Sequence, residues 1–537
     1  MKKLFGWAVV LLLAGCQMTQ QEKPTKQEAE TNPAPEQAMT PLSSGVLPET
    51  ESAEKDAQVI LIQAEPEDEP DVVIGPAEQE DVWKRIGMQL SIPVPEHKKI
   101  DYYRNWYLKH PHHLESVSKR ATPFLYLIVK KIEERDLPLE LALLPIVESS
   151  FDPFAYSHGS AAGLWQFVPG TGKMYGLKQN FWYDGRRDVS AATDAALDYL
   201  TYLSNRFDGN WNHAIAAYNS GGGRVSRAIT KNTRLHKPTD FFSLDLPKET
   251  SGYVPKLLAL ADIVAHQDTY GIAIPPIPNH PVLLQVDPGE QLDLAIAAKY
   301  AGMTVKELQS YNPAFNRWST APEGPHSLLL PVEKAAQFEL AASKNKGKGL
   351  KLIRYQVKSG DAISLLAKKY KTTSAIIREA NGLPNNSIRA GQYLMIPTST
   401  KDGSIYALSA KNRLAKTQAI SRGQYKLTYT VSSGDSLWTI ASKHKVSHLS
   451  LAKWNGMGPR DTLRIGQKLV IWKKGSKGSI IRTVHYQVRH GDTISAIASR
   501  FKVKSSDIIK WNNLNNQKYI QPGQQLKLYV DVTKVSV

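Results

Sequence analysis

Apolar positions dominate one short stretch, residues 139–147, in which eight of nine residues are apolar or proline. The run ends at a charged residue, Glu148. Asp136 is the expected N-cap and Pro138 stands in a first helical turn, where proline is tolerated, so we predict a helix over 138–147. Alone, a glutamate at a helix end is usually a surface residue. A carboxyl at the end of a buried helix is poorly hydrated, however, which raises its pKa and suits a general acid.

The same helical periodicity recurs on both sides of this stretch. Leu125, Ile128, Val129 and Ile132 follow a spacing of three and four residues, which is typical of a helix with one buried face. The pattern predicts helices over 123–134, 138–147, 189–207, 211–218 and 250–266. We therefore expect an all-α domain over residues 82–275, with at most a short hairpin. Asp194 and Asp198 lie four residues apart and indicate a solvated helix face rather than a site.

Three later stretches share one pattern. Each has a Gly-Asp pair, an asparagine 20 residues after the aspartate, and a Gly-Gln pair before an apolar strand. The copies contain Gly360-Asp361, Gly434-Asp435 and Gly491-Asp492, with Asn381, Asn455 and Asn512. A repeat of fixed internal spacing indicates a small module with strand-like ends and a helical middle. We expect each aspartate to cap the first helix. Val286, Gly289, Glu290 and Tyr311-Asn312 indicate a degenerate fourth copy.

The length of the chain indicates several domains, and its first residues indicate a signal peptide. The chain has 537 residues and a net charge of +17, and it is too long for one core. Two lysines precede the apolar run 4–13, which is too short to span a membrane and predicts a signal peptide over 1–15. The sequence Leu13-Ala14-Gly15-Cys16 that follows resembles a bacterial lipobox, with lipid on Cys16. Cys16 is the single cysteine, so no intramolecular disulfide is possible.

Residues 16–81 have a different composition from the rest of the chain. They are rich in Glu, Gln, Pro, Ala and Thr and poor in aromatic residues. Such a segment buries too little apolar surface to fold. We interpret it as a disordered acidic tether, and an acidic interaction segment is the alternative.

The residues after Glu148 have the chemistry of a sugar site. Ser157, Gly159 and Gly163 are small and let backbone approach a ligand closely. Trp165 and Gln166 lie among them. Glutamine offers donors and acceptors to sugar hydroxyls, and an aromatic ring stacks on a sugar face.

Four segments in fixed order carry a family resemblance. They are Glu148-Ser149-x-Phe151, Ser157-x-x-x-Ala161-x-Gly163-x-x-Gln166-Phe167-x-Pro169, Ala217-Tyr218-Asn219-x-Gly221-x-x-x-Val225 and Glu249-Thr250-x-x-Tyr253-Val254. Together they resemble the signature of family 1 lytic transglycosylases, and the repeats resemble those of a membrane-bound subgroup. One departure from the family pattern is Val168, where many members carry methionine. This difference affects a wall of the sugar site.

The resemblance implies roles for these residues. It implies a lysozyme-like fold in which Glu148 is catalytic. Substrate-binding roles are implied for Ser149, Ser157, Gln166, Tyr218, Asn219, Glu249 and Tyr253. Of these, Ser149 and Ser157 would orient the carboxyl or the sugar, and the Tyr218 hydroxyl would lie near Glu148. Glu249 would have a secondary role in the fold and the cleft.

The repeats resemble LysM modules, which are βααβ units that bind glycans containing N-acetylglucosamine. The linkers between them are basic, as in Lys473-Lys474-Gly475-Ser476-Lys477. With a lipobox present, anionic cell-wall polymer is a better partner for these charges than nucleic acid. The resemblance to lipoproteins implies the outer membrane, because Gln17 follows Cys16 at the position where the inner-membrane retention signal of such lipoproteins is aspartate.

The sequence thus predicts a multidomain protein with an all-α lysozyme-like catalytic domain followed by small α+β (βααβ) LysM modules. The expected segments are 1–15 signal peptide, 16–81 tether, 82–275 catalytic domain, 276–345 degenerate copy, and LysM modules at 353–398, 427–472 and 484–530. We expect an outer-membrane lipoprotein facing the periplasm. Its expected reaction is cleavage of the β-1,4 bond between N-acetylmuramic acid and N-acetylglucosamine in peptidoglycan, with formation of a 1,6-anhydro end.

Two alternatives stay open. One is a hydrolase of the same bond that resembles goose-type lysozyme, and the other is a non-catalytic wall anchor. No cofactor is expected. His110, His112 and His113 lie close together but lack a convincing metal-ligand set.

Overall fold

The computed structural model describes residues 74–157, 159–473, 481–514 and 519–531. The predictions for the signal peptide, for Cys16 and for nearly all of the tether fall outside these residues. None of the helices within the described ranges is long and apolar enough to cross a bilayer.

Helices form the first part of the described chain. They are α1 Val82–Gly87, α2 Lys98–Leu108, α3 Pro111–Ala121, α4 Leu125–Glu133, α5 Leu144–Ser149, α6 Pro169–Met174, α7 Val189–Arg206, α8 Trp211–Ser220, α9 Gly222–Arg234 and α10 Lys248–Ala265. The described residues between 82 and 275 contain isolated β-bridges but no strand. The expected all-α domain is confirmed.

The long helices begin where the sequence supplies a cap. The Asp188 carboxylate accepts from the backbone N–H of Ala191 at the start of α7, and the Asn210 side chain accepts from His213 at the start of α8. These bonds satisfy amide groups that have no partner within the helix. Helix α10 packs against α1, α2, α5 and α8. It therefore lies at the centre of the helical core.

The helix predicted over 138–147 is in fact split. A 3₁₀ helix covers Leu139–Leu143, and α5 begins only at Leu144. Pro145 explains the break, because proline has no N–H to continue a helix and is accommodated only in the first turn. Asp136 has a φ of 51° and is not an N-cap, so that expectation was wrong. Helix α5 ends at Ser149, two residues beyond the predicted end, because Ser150 adopts the left-handed conformation that terminates helices.

The βααβ order is confirmed in all four copies. The degenerate copy has β1 Leu283–Val286, α11 Leu294–Tyr300, α12 Val305–Tyr311 and β2 Leu328–Pro331, followed by α13 Val332–Lys344. The first of the three repeat modules has β3 Lys351–Gln356, α14 Ile363–Lys369, α15 Ser374–Glu379 and β4 Tyr393–Thr398. Helix α16 Ala410–Ala419 then precedes the second module.

The second module has β5 Tyr425–Thr430, α17 Leu437–Lys443, α18 His448–Trp454 and β6 Lys468–Lys473. The third has β7 Ile481–Gln487, α19 Ile494–Arg500, α20 Ser505–Trp511 and β8 Gln525–Asp531. In each copy the two strands form one antiparallel ladder, with Lys351 opposite Thr398 and Tyr425 opposite Lys473.

The aspartate of each Gly-Asp pair does not cap a helix, contrary to expectation. The residue after it occupies the N-cap position, for example Ser436 in the second module. The Asp435 carboxylate instead accepts from the Ser432 N–H at 2.7 Å and from the Tyr429 hydroxyl at 2.9 Å. Asp361 and Asp492 make the same two bonds in their modules. The aspartate therefore closes the turn that follows the first strand.

The recurrent asparagine joins the second helix to the closing strand. The Asn455 carbonyl oxygen accepts from the Val470 N–H at 2.7 Å, and its amide donates to the carbonyls of Val470 and Leu451 at 2.8 Å each. Asn312, Asn381 and Asn512 form the same contacts. A buried polar group of this kind needs all its partners, which explains why the same residue recurs at this place.

The degenerate copy packs closely on the helical domain. Trp182 and Tyr183 belong to the same buried cluster as the core of that copy. The Asp184 N–H donates to the Ala314 carbonyl at 2.9 Å, and the Asn316 N–H donates to the Trp182 carbonyl at 2.7 Å. The domain boundary expected between residues 275 and 276 therefore separates two regions that share a hydrophobic core.

Candidate active site

Glu148 lies at the end of α5, beside the central helix α10. The Tyr253 hydroxyl on α10 donates to Glu148 Oε1 at 2.5 Å. Two consecutive residues with positive φ, Ser150 at 51° and Phe151 at 60°, reverse the chain immediately after α5. Phe151 is fully buried and anchors this turn in the core. The carboxyl is thus held at one place by packing and by one short hydrogen bond.

Burial raises the pKa of Glu148 to about 7. The Tyr253 hydrogen bond and the charge of Lys256 lower this pKa, whereas the charge of Glu249 raises it. Burial also raises the pKa of Tyr253 far above its usual value, so its hydroxyl remains a proton donor. A carboxyl with a pKa near neutrality holds a proton yet can release it, as acid–base catalysis requires.

A cleft of about 700 Å³ opens at Glu148. Its walls are formed by Glu148, Ser157, Gly159, Ala161, Gln166, Phe167, Val168, Thr171, Tyr199, Tyr218, Asn219, Gly221 and Glu249. The side chains are hydroxyls, amides, carboxyls and aromatic rings. This mixture fits a sugar chain, which presents hydroxyls at its edges and apolar C–H groups on its faces.

One wall, the rim segment of residues 155–157 and 159–168, is fixed by a buried ion pair. Asp184 accepts from Nε and Nη2 of Arg186 at 2.9 Å each. Arg186 Nη1 then donates to the Ser160 carbonyl at 2.7 Å. Gly163 has a φ of 81°, and a Cβ there would lie 1.9 Å from the Arg186 carbonyl oxygen, so only glycine fits.

Five of the predicted substrate-binding residues line this cleft, namely Ser157, Gln166, Tyr218, Asn219 and Glu249. Several also bond to the protein around them. Ser157 Oγ accepts from the N–H groups of Gly159 and Ala161 at 3.1 Å each, and the Asn219 side-chain oxygen accepts from the Thr250 hydroxyl at 2.8 Å. The Gln166 amide donates to the Gly163 carbonyl at 2.7 Å. These bonds hold the side chains in place before any ligand arrives.

Ser149 and Tyr253 differ from the sequence-based picture, whereas Tyr218 agrees with it. The Ser149 hydroxyl lies 3.0 Å from the carbonyls of Pro145 and Leu164, so it fixes backbone rather than orienting the Glu148 carboxyl. The Tyr218 hydroxyl donates to the Trp165 carbonyl at 2.8 Å. It lies near Glu148 as expected, because burial and the charge of Glu148 both raise the pKa of Tyr218. Tyr253, expected to contact sugar, holds Glu148 instead.

Lys256 belongs to the site but was not predicted from the sequence. Its charge favours the carboxylate form of Glu148, and burial lowers its own pKa. It lies three residues after Tyr253 on α10, and side chains at that spacing share one helix face. The spacing of three residues from Tyr253 on a predicted helix could therefore have indicated that Lys256 belongs to the site.

The described part of the chain contains no group of three or more His, Cys, Asp or Glu side chains able to hold a metal ion. His112 pairs with Glu115 at 3.0 Å on an exposed helix face. His110 Nδ1 lies 2.6 Å from the Trp106 carbonyl. These two histidines thus have local structural contacts.

Family descriptions match the chain in three places. The Transglycosylase SLT domain matches residues 126–241. The LysM domain matches 355–397, 429–472 and 486–528. Residues 282–346 match the LysM-like domain of lytic transglycosylase MltD, so the degenerate fourth copy is confirmed.

Known proteins resemble the chain over different lengths. An autolysin of Enterococcus faecalis is 30% identical over 187 residues, or 32% of this chain and 24% of that protein. The crystal structure of the 70 kDa soluble lytic transglycosylase of Escherichia coli is 21% identical, covers 35% of this chain and 32% of that chain, and has a TM-score of 0.25.

A third relative is similar over most of its length. The membrane-bound lytic murein transglycosylase D of Escherichia coli strain K12 is 35% identical over 453 residues, which are 84% of this chain and 86% of that protein. The similarity spans the helical domain and the repeats together, as the sequence motifs predicted. The chain therefore belongs to the family of membrane-bound lytic murein transglycosylase D.

Proposed function

We propose that Glu148 alone supplies the acid and the base of a lytic transglycosylase reaction on peptidoglycan. The bond cleaved is the β-1,4 bond between N-acetylmuramic acid and N-acetylglucosamine, and the product carries a 1,6-anhydro end. The observation that carries this proposal is the Glu148 carboxyl itself. It opens into the cleft, has a pKa of about 7 and lies 2.5 Å from the Tyr253 hydroxyl.

The reaction begins with protonated Glu148. Its proton passes to the glycosidic oxygen, the C1–O bond breaks, and oxocarbenium-like charge develops on the muramic sugar. The 2-acetamido group of that sugar stabilises this charge. Glu148, now a carboxylate, takes the proton from the C6 hydroxyl of the same sugar. The C6 oxygen bonds to C1, which closes the anhydro ring and restores protonated Glu148.

One carboxyl is enough because the nucleophile is part of the substrate. A tethered hydroxyl needs no second residue to bring or activate water, and proximity supplies much of the rate. Glu249 lines the same cleft. In a hydrolase it would be the candidate base, whereas here its negative charge helps Glu148 to keep its proton. Ser157, Gln166, Tyr218 and Asn219 would hold the sugars along the walls.

The mass of the released fragments decides between the two reactions. Digestion of purified peptidoglycan should release muropeptides one water lighter than those released by a lysozyme. Mass spectrometry of unreduced digests, with a lysozyme digest of the same material as the reference, provides the measurement. Fragments with reducing ends from the wild-type protein would instead assign a hydrolase and return Glu249 to consideration as a base.

The LysM modules keep the enzyme on its substrate. Three copies on one chain raise the effective concentration of glycan near the cleft, because binding by one module makes the next event intramolecular. We propose module limits of 353–398, 427–472 and 484–530. Each range contains both helices and most of the two strands of one βααβ unit. Their basic linkers add attraction to an anionic wall polymer.

We further propose that the mature protein begins at Cys16, carries lipid on its thiol and faces the periplasm from the outer membrane. The lipobox before Cys16 and the glutamine after it support this placement. The acidic segment that follows would let the enzyme reach the wall from the membrane surface.

The native N-terminus provides the test of this anchor. We expect mass spectrometry of the membrane-extracted protein to show acylated Cys16 as its first residue, and outer-membrane fractions to contain the protein. The variant Cys16→Ser is the matched control and should lose both the lipid and the membrane association. A wild-type protein recovered with residues 2 and 3 still attached and without lipid would contradict the anchor.

A further inference from the structure

A loop of the second LysM module bonds directly to the rim of the catalytic cleft. The Asp461 carboxylate, between α18 and β6, accepts from the Tyr156 hydroxyl at 2.9 Å and from the Ser160 hydroxyl. It also accepts from the Gly458 N–H at 2.8 Å, which fixes its own loop. One carboxylate therefore joins the module to the catalytic domain. Hydrogen bonds to an ionised acceptor are the stronger kind.

The two rim residues that Asp461 holds lie on the back of the cleft wall. Ser157, Gly159 and Ala161 line the cleft, whereas Tyr156 and Ser160 face a second groove on the module side. Tyr156 is also bridged to Ala162 across the rim. Asp461 therefore restrains the wall of the catalytic cleft from its outer face.

Helix α16 fixes the module at this position through independent contacts. The Arg413 guanidinium lies 4.9 Å above the Phe154 ring of the catalytic domain and 3.5 Å from the Asn316 side chain of the degenerate copy. At the other end of α16, the Gln418 amide donates to Asn455 of the second module at 2.8 Å. One helix thus contacts three parts of the chain, so Asp461 is not an isolated surface contact.

The second groove has a volume of about 790 Å³ and lies between the rim and the module. Its lining includes Pro169 from the catalytic side, and Arg460, Thr462, Arg464, Ile465 and Gln467 from the module. Arginine binds carboxylates bidentately, and Ile465, which is 75% exposed, offers an apolar surface. A glycan chain whose sugars bear carboxylate groups matches this combination.

We propose that the second LysM module forms the outer part of the substrate site, and that Asp461 is the positioning residue that holds it there. A long glycan strand would lie in the catalytic cleft and continue into the groove, so that the module presents the strand in register with Glu148. This inference rests on the proposed function. It adds a specificity for long strands, because a fragment that fills the cleft alone does not reach the groove.

The test uses the full chain and five variants: Asp461→Asn, Asp461→Glu, Tyr156→Phe, the double variant of Asp461→Asn with Tyr156→Phe, and Asp507→Asn as a matched charge control on the third module. Steady-state cleavage is measured on long glycan strands and on a short soluble muropeptide. We expect Asp461→Asn to lower kcat/KM for long strands about 10-fold, because the bonds from Tyr156 and Ser160 remain possible but lose their charge assistance. The value for the short fragment should stay within twofold of wild type.

The double variant should lose no more than Asp461→Asn alone, because both changes remove one shared contact. Asp507→Asn should match the wild type on both substrates, and Asp461→Glu should recover part of the activity. Hydrogen exchange at the amides of Gly159, Ala161 and Gly458 should become faster in Asp461→Asn, while other amides of both domains keep their rates.

Equal losses on long and short substrates, additive losses in the double variant, or no loss at all would each overturn the proposal. Failure of the proposed reaction is a separate outcome, because it concerns the mass of the wild-type products. Fragments with reducing ends would overturn the reaction and leave the length-dependent effect of Asp461 measurable.

Discussion

Replacing Glu148 by glutamine should reduce the rate of peptidoglycan cleavage by at least ~100-fold, the usual contribution of a positioned acid–base residue. Glutamine has nearly the same shape, and its oxygen can still accept from Tyr253. It has no proton to deliver to the glycosidic oxygen and cannot take one from the C6 hydroxyl. Both halves of the reaction therefore fail together. Release of soluble muropeptides from purified wall, followed by chromatography, provides the measurement.

The matched control for this variant is Glu249→Gln. Glu249 lines the same cleft and its charge raises the pKa of Glu148. Its replacement removes one charge from the same cleft, lowers the pKa of Glu148 and should leave most of the activity. Both variants should still sediment with purified cell wall, because neither substitution lies in a LysM module. Full activity in Glu148→Gln, or a larger loss in Glu249→Gln, would remove Glu148 from its proposed role.

The local elements of this protein could be predicted because local signals define them. The apolar run before Glu148 indicated a helix end at the right place, and α7, α8 and α10 differ from the predicted ranges by only one or two residues at most ends. The fixed spacing in the repeats gave the βααβ order, including the degenerate copy. In these cases periodicity and turn residues within a short window carried the information.

Competition between neighbouring signals explains the local errors. Pro145 divided the expected helix because a missing N–H outweighs the apolar pattern. Asp361, Asp435 and Asp492 looked like helix caps, but a tyrosine hydroxyl in the preceding strand offered each a second hydrogen bond. The neighbouring residue then took the cap position. Such choices depend on contacts across a turn, which spacing alone does not reveal.

Contacts between residues far apart in the chain could not be predicted from the sequence. Tyr253 and Glu148 are separated by 105 positions, and Asp461 and Tyr156 by 305. The motifs placed Tyr253 in the site but gave it a substrate-binding role. Whether a hydroxyl faces a ligand or another side chain is decided by helix packing, here that of α10 on α5. The sequence therefore predicted which residues belong to the site better than it predicted which atoms they contact.

Tyr253→Phe should change both the rate and its pH dependence. Glu148 must start protonated, and its pKa is about 7, so activity of the wild type should fall as the pH rises through about 7. The Tyr253 hydrogen bond lowers that pKa because it stabilises the carboxylate. Without the hydroxyl the pKa rises, and the alkaline limb of the pH profile should move to higher pH.

The maximal rate should nevertheless fall by about 10-fold or more, because a hydrogen bond to a charged group contributes about 1.5–3 kcal/mol. Without this bond the carboxyl is free to rotate, and the carboxylate that forms after the first step is less well stabilised. The control is Tyr202→Phe, which removes an exposed hydroxyl on α7 and should change neither quantity. The measurement is kcat for a soluble muropeptide across a pH range that spans neutrality. A limb that moves to lower pH, or an unchanged profile with reduced kcat, would mean that Tyr253 contacts the sugar and that another group sets the protonation state of Glu148.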